Sequence, residues 1–116
     1  MRYILALTCL ASPAFADSPI IENVTASPSS NGWRFDVTLS HADTGWEDYA
    51  DGWRVELEGG EILGTRVLAH PHVNEQPFTR SLSNVAIPEE VGQVYIRAKD
   101  LIGGWSEART PVNLAD

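Results

Sequence analysis

Sulfur is nearly absent from this 116-residue chain, which contains one cysteine, Cys9, and one methionine, Met1. Both lie in the first sixteen residues, so a chain that loses those residues contains no sulfur at all. Disulfides, a thiolate nucleophile, an iron–sulfur cluster and a copper(I) site with soft ligands are then excluded. The domain that remains must be held together by its hydrophobic core.

The sequence also lacks an apolar run of the roughly 20 residues that a membrane span needs. A short apolar run covers residues 4–10, after the basic Arg2 and before the tripeptide Ala-Phe-Ala at 14–16, which has the small-x-small pattern of a cleavage site. This layout predicts a secretory signal peptide over residues 1–16, with cleavage before Asp17 and no membrane insertion afterwards. A lipoprotein signal ending at Cys9 is the alternative. We therefore expect a periplasmic or secreted protein whose mature chain is a single domain, residues 17–116.

Basic residues are few. Residues 17–116 contain 7 of them against 16 acidic residues, and the first part of the domain, residues 17–61, contains 10 acids and only 2 basic residues. A surface of this sign repels phosphate backbones and anionic lipid headgroups, so we expect no nucleic-acid partner and no binding to a membrane surface.

No stretch of a dozen residues shows the periodicity of an amphipathic helix, whereas alternation of apolar and polar residues recurs from end to end. It is clearest at Trp33, Phe35, Val37 and Leu39, which are separated by polar residues. The pattern predicts seven strands, over residues 20–26, 33–40, 53–58, 62–70, 78–83, 94–99 and 105–114. Glycines at 59 and 60 predict a tight hairpin between the third and fourth strands. Short strands with frequent turn signals favour an all-β, seven-stranded antiparallel sandwich.

The segment VYIRAKDLIGGWSE, residues 94–107, resembles the sixth strand, turn and start of the seventh strand in bacterial Ig-like and fibronectin type III-like domains. Trp53 lies where the third strand of an Ig-like domain often carries its core tryptophan. The chain as a whole also resembles small exported proteins of proteobacteria. The resemblance implies a β-sandwich domain and no particular chemistry.

Successive antiparallel strands reverse the chain, so alternate connections fall at the same end of a sandwich. The connections at residues 41–52, 70–76 and 100–105 are expected to share one end. Between them they contain most of the unusual residues of the chain, and we predict a binding surface formed by Asp43, Trp46, Glu47, Asp48, Tyr49, Asp51 and Trp105.

The three histidines, His41, His70 and His72, all belong to this predicted end. If residues 70 and 72 are extended, their side chains share a face with Cα atoms about 6.6 Å apart, a spacing that lets two imidazoles chelate one ion. His41, or Asp43 beyond it, is then a third ligand. Nitrogen and oxygen ligands without sulfur favour zinc or copper(II), and a metal-binding protein is one hypothesis. The acids follow no regular calcium-loop pattern.

Enzymatic function has little support, because the chain has no nucleophile-bearing turn and no phosphate-binding glycine loop. Glu47 and Asp48 are adjacent and point to opposite faces if extended, so they are not a pair suited to acid–base catalysis. The main hypothesis is a non-catalytic binding or accessory module that contacts a protein or a small polar ligand. Solvated loop acids, tryptophans that only anchor loops, and a carbohydrate-binding face remain open alternatives.

Overall fold

The structure is a computed structural model that describes residues 18–114, and within that range it contains two antiparallel sheets and no helix. The predicted all-β sandwich is confirmed, with eight strands instead of seven. The strands are β1 (Ile20–Ser29), β2 (Gly32–Ser40), β3 (Ala50–Glu56), β4 (Ile62–Val67), β5 (Phe78–Val85), β6 (Gln93–Asp100), β7 (Gly104–Trp105) and β8 (Thr110–Asn113). No helix in the described range is long and apolar enough to cross a membrane. The predicted signal peptide lies outside the described residues.

The smaller sheet has the strand order β1-β2-β5, and the larger has β4-β3-β6 with β7 and β8 both paired to β6. Alternating residues of β2 and β6 face the space between the sheets, which fixes the register of each strand. The core is closed by fully or almost fully buried side chains from both sheets: Phe35, Val37, Leu39, Trp53, Val55, Phe78, Val94, Ile96 and Ala98. Trp53 is completely buried, as the sequence predicts, and Trp33 packs against the edge of this core.

The first strand is longer than predicted and continues through Pro28 to Ser29. Because β1 is at the edge of its sheet, a residue without an N–H is tolerated there. Gly32 follows the turn with a φ of 137°, and a Cβ at this position would collide with the backbone carbonyl of Val85. Only glycine allows β2 to approach β5 so closely.

The final strand is divided into β7 and β8, where the alternation predicts one strand over residues 105–114. Between them, the carbonyl groups of Ser106 and Glu107 accept hydrogen bonds from the Arg97 side chain, at 2.6 and 3.1 Å. The side chain of a central strand thus satisfies carbonyls that a continuous ladder would pair with backbone N–H groups.

Three connections meet at one end of the sandwich, which we call the loop pole and define as residues 41–49, 68–77 and 101–103. The Leu101 amide donates to the Tyr49 carbonyl at 2.9 Å, and the Leu68 amide donates to the Asp51 carbonyl at 3.1 Å. β4 ends at Val67, so residues 68–70 belong to the connection and not to the predicted strand. Conversely, residues 50–52 lie in β3 although the sequence places them in a loop.

Candidate functional site at the loop pole

His41 lies at the centre of the loop pole, with its side chain only 2% exposed. Its Nδ1 lies 2.6 Å from Asp43 Oδ1, and its Nε2 lies 3.1 Å from Asp100 Oδ2. A third carboxylate oxygen, Asp48 Oδ1, is 3.8 Å from the same Nε2. The imidazole therefore has a carboxylate at each ring nitrogen, and it joins the connection after β2 to the end of β6.

The side chain of Asp43 is fully buried and connects three parts of the pole. Its Oδ1 also accepts a hydrogen bond from the Ala50 amide at 3.0 Å, and its Oδ2 accepts one from the His72 amide at 2.8 Å. Gln76 adds a further link, because its side chain accepts from the His41 amide and donates to the His72 carbonyl. These bonds hold two of the connections and the first residue of β3 in one arrangement.

The charge state of His41 follows from this environment. Burial lowers its pKa, but hydrogen bonds to Asp43 and Asp100 outweigh burial, so the pKa of His41 is raised above its ordinary value of 6.5. The two ring nitrogens of this one imidazole face three carboxylates, from Asp43, Asp48 and Asp100. Within residues 18–114 no lysine or arginine forms an ion pair with any of the three.

The other two histidines do not converge on His41. The His72 ring stacks on Phe78 with centroids 4.0 Å apart, and its Nε2 accepts a hydrogen bond from Arg80 at 2.8 Å. Burial lowers the pKa of His72, and the positive charge of Arg80 lowers it further, so this imidazole is neutral. The exposed ring of His70 lies beside it, with centroids 4.7 Å apart.

The structure therefore does not bring the ring nitrogens of the predicted ligand set, His41, His70 and His72, together. In the described part of the chain, the residues whose ligand atoms lie within 4.8 Å of one another in a group of three are His41, Asp48 and Asp100. The reason is that β4 ends before residue 70, so the His72 backbone, and not its ring, faces the carboxylate of Asp43.

Of the remaining predicted binding residues, Trp46, Glu47 and Tyr49 lie together at the loop pole, whereas Asp51 and Trp105 belong to strands of the larger sheet. Trp46 is 65% exposed and meets the Tyr49 ring edge-on at 5.7 Å, and Glu47 is exposed beside it. Asp51 is paired with Lys99 at 2.7 Å. Trp105 does not join Trp46, because it lies on the outer face of the larger sheet with the Arg54 guanidinium 3.9 Å from its ring centroid.

A groove of about 590 Å³ opens on the pole between the first and second connections. It is lined by Gly45, Trp46, His70, Pro71, His72, Val73, Asn74 and Glu75. Large apolar side chains are exposed around it and on the turn after β6: Trp46, Val73, Leu101 and Ile102 are each between 45% and 65% exposed. The described residues contain three others of this kind, and one of them, Ile20, pairs with Ser40 at the same end.

Two features escaped the sequence reasoning. Asp100 appeared there only as the start of a turn, although it bonds His41 and also accepts from the Gly103 amide at 2.9 Å. Glu56 occupies a polar position in the alternation of its strand, where an exposed side chain is expected, yet it is completely buried beneath three arginines, Arg54, Arg97 and Arg109. Alternation places Arg54, Glu56 and Arg97 on the outer faces of their strands. Had β3 and β6 been predicted to be neighbours, this shared face would have indicated an ion-pair cluster.

Burial of Glu56 raises its pKa, but hydrogen bonds from Arg97, Arg54 and Arg109 outweigh that effect and lower the pKa to about 2. The carboxylate is therefore ionised throughout the physiological range. Arg109 in turn stacks over the Tyr95 ring at 4.0 Å. This cluster lies on the outer face of the larger sheet, and its three guanidinium groups form ion pairs with Glu56.

Comparison with known proteins finds similarity to a protein of the archaeon Halomicrobium mukohataei that is described as a "Putative lipoprotein". The two are 36% identical over 89 residues, which is 77% of this chain. The matched region is 43% of the relative, so the chain spans less than half of its length. No protein-family model matches the chain. No solved structure matches it either.

Proposed function

We propose that this protein is an exported, non-catalytic binding module, a fibronectin type III-like sandwich whose loop pole contacts a partner protein of the cell envelope. The observation that carries the proposal is the concentration of exposed apolar side chains on the connections of one pole. The strand order supports the fold assignment, because β4 lies beside β3 and not in the sheet of β1, β2 and β5, where a constant-type Ig domain has its fourth strand.

Exposed apolar side chains that share one region of a surface are characteristic of protein interaction sites, whereas single ones are ordinary. Trp46 has the properties of an anchor residue, since tryptophan is enriched among the side chains that contribute most to protein–protein binding. It lies beside Tyr49 and at the rim of the groove, where an apolar side chain of a partner finds contact area.

The loops that present these side chains are fixed by buried hydrogen bonds. Asp43 and His41 tie the connections together beneath the surface, so little conformational freedom is lost when a partner binds. A rigid sandwich that displays loops at one end is a common arrangement for recognition.

The charge of the pole favours a partner with basic residues. Glu47, Asp48 and Glu75 lie at or near the groove, and the chain as a whole carries a formal net charge of −8. Such complementarity mainly raises the association rate and selects against acidic partners.

A catalytic role is disfavoured by the state of His41. A general base needs a free ring nitrogen within reach of a substrate, and carboxylates take both nitrogens of this buried imidazole. In His72, Nε2 is bonded to Arg80, and Nδ1, which has no hydrogen-bond partner within residues 18–114, is shielded from solvent and so from a substrate.

The binding surface is tested with purified residues 17–116 immobilised and exposed to an envelope extract of the source organism. A Trp46→Ala/Ile102→Ala variant should recover the partner at least about tenfold less well than wild type, because each truncated anchor costs about 1 kcal/mol or more. Ile62→Ala is the matched control: Ile62 is 50% exposed but lies at the opposite end of the sandwich, and its variant should recover the partner normally.

Urea unfolding should give the same midpoint for all three proteins, because exposed side chains contribute little to stability. A partner retained by the Trp46→Ala/Ile102→Ala variant, or lost from Ile62→Ala, would contradict the proposed surface. Failure to capture or cross-link any partner would contradict a protein-binding function.

Export is supported by the relative described as a lipoprotein and by the predicted signal at residues 1–16. Expression of the full sequence should yield an envelope or secreted protein whose intact mass begins at Asp17. A lipid-modified Cys9 would also mean export, but with an anchor. A cytoplasmic protein that retains Met1 would show that the export proposal is wrong.

A further inference from the structure

We infer that the loop pole contains a divalent metal site formed by His41 Nε2, Asp48 Oδ1 and Asp100 Oδ2, with Zn²⁺ as the ion that fits best. This site lies behind the surface proposed to bind a partner and does not depend on that function. It also differs from the histidine set that the sequence suggests, since neither His70 nor His72 takes part.

The distances between the candidate ligand atoms suit a small ion. His41 Nε2 lies 3.1 Å from Asp100 Oδ2 and 3.8 Å from Asp48 Oδ1, and all three atoms lie within 4.8 Å of one another. Ligands bound at about 2.0–2.1 Å in tetrahedral geometry are roughly 3.3 Å apart. Closing the site requires the more distant ligand atoms, which are up to 4.8 Å apart, to approach to this spacing.

The orientation of His41 is the one found in protein metal centres. A metal-binding histidine usually donates its second ring N–H to a carboxylate, which fixes the tautomer and strengthens the ligand. Asp43 Oδ1 occupies this position at 2.6 Å from Nδ1. Asp43 is itself immobilised by the Ala50 and His72 amides, so the ring cannot rotate freely.

Asp48 provides a separate sign that a ligand belongs here. Its Oδ1 is shielded from solvent, points towards His41 Nε2, and has no hydrogen-bond partner within residues 18–114. The Asp48 side chain as a whole is 23% exposed, but this oxygen has lost its hydration, and its 3.8 Å separation from His41 Nε2 is too long for a hydrogen bond, which is costly. A cation between Asp48 and His41 would satisfy this atom.

Asp100 is fixed in a comparable way. Its Oδ1 accepts from the Gly103 amide at 2.9 Å, which leaves Oδ2 directed at His41. The side chains of Asp100 and His41 are each only 2% exposed. Two of the three ligands are therefore already desolvated and positioned before an ion binds.

Charge and ligand type indicate which ion is preferred. Three carboxylates around one imidazole leave the cluster negative, and a divalent ion reduces this excess. One imidazole nitrogen with carboxylate oxygens and no sulfur suits Zn²⁺, with water completing the coordination, better than the oxygen-rich shells of Ca²⁺ or Mg²⁺.

Calorimetric titration of metal-free residues 17–116 with Zn²⁺ at pH 7 should show one ion per chain. Asp48→Asn should raise the Kd at least about tenfold, because removing even a supporting group of a metal site costs that much. Glu47→Gln is the matched control, since it makes the same charge change at the neighbouring exposed residue, and its Kd should stay close to that of wild type. His70→Ala should also bind normally.

Nitrogen NMR of the His41 side chain provides a second measurement. On addition of Zn²⁺ the Nε2 resonance should shift strongly while the Nδ1 proton remains. No binding to wild type, equal affinity in Asp48→Asn, or loss of binding in His70→Ala would each overturn the proposed site. Because Asp48 Oδ1 makes no hydrogen bond, the Asp48→Asn protein is expected to fold, which its amide spectrum will verify.

Discussion

Replacing Glu56 with glutamine is expected to lower the free energy of unfolding at pH 7 by about 3 kcal/mol, the low end of the range for breaking a buried ion pair. The substitution keeps the size of the side chain but removes the negative charge that Arg54, Arg97 and Arg109 share. Three guanidinium groups then face one another over a neutral amide. Each arginine is about one-fifth exposed, so water relieves part of the repulsion.

The pH dependence of this effect provides a more specific test. In the folded protein the pKa of Glu56 is about 2, against 4.5 for an ordinary glutamate. A carboxyl group whose pKa is lower in the folded state stabilises the protein above its unfolded pKa and ceases to do so as the pH falls through the folded value. The difference between wild type and Glu56→Gln should therefore be constant above about pH 5 and shrink between pH 4.5 and 2.

Urea unfolding followed by tryptophan fluorescence measures both quantities. Glu58→Gln is the matched control, because Glu58 follows the same strand and its side chain is exposed. It should change stability by no more than about 0.5 kcal/mol. If Glu56→Gln were as stable as Glu58→Gln, or if its deficit did not depend on pH, the three arginines would not be held by this carboxylate.

Replacing Asp43 with alanine is expected to destabilise the fold by about 3 kcal/mol or more and to loosen the loop pole. The substitution removes the acceptor for the Ala50 amide, the His72 amide and His41 Nδ1. A buried donor left without an acceptor costs about 1–3 kcal/mol, and three are created at once. Asp43→Asn should be milder, because its amide keeps one acceptor oxygen, but the NH₂ group then faces a donor.

Amide hydrogen exchange locates this effect. In Asp43→Ala the amides of residues 50 and 72 should exchange much faster than in wild type, whereas amides in the centre of β6 should change only by the loss of global stability. Thr44→Ala, at the exposed next residue, is the control and should leave both amides protected. Unchanged protection at residues 50 and 72 in the Asp43→Ala protein would show that Asp43 does not hold the loops.

Much of the fold is determined by local pattern and is therefore accessible from the sequence. Alternation in β2 and β6 places Phe35, Val37, Ile96 and their neighbours in the core, and it predicts these strands to within a residue or two. The Gly59-Gly60 hairpin is also recovered, with its Leu57 and Glu61 backbone groups paired at 2.9 Å. Both signals act over a few residues, where the physics is that of a single strand or turn.

The details of the site depend on contacts between distant residues and could not be predicted. His41 and Asp100 are 59 residues apart, and nothing in either segment identifies the other as its partner. Likewise, Trp105 was grouped with Trp46 because both lie near turns, but pairing with Lys99 in β6 places Trp105 along the sheet and beside Arg54. Because β4 ends at Val67, the backbone of His72 and not its ring meets Asp43. The ends of strands are difficult to predict from a sequence.

The way Asp43 binds its neighbours has a consequence for how the molecule tolerates variation. Two of its three partners are main-chain N–H groups, at Ala50 and His72, and every amino acid except proline supplies such a group. The scaffold is thus largely indifferent to which side chains occupy the tips above it. We expect new recognition sequences to be accepted at residues 46–47 and 73–75 while the hydrogen bonds of Asp43 beneath them are kept, provided that Gly45, whose φ is 150°, is retained. This would make the small cysteine-poor domain suitable as a carrier for selected loops.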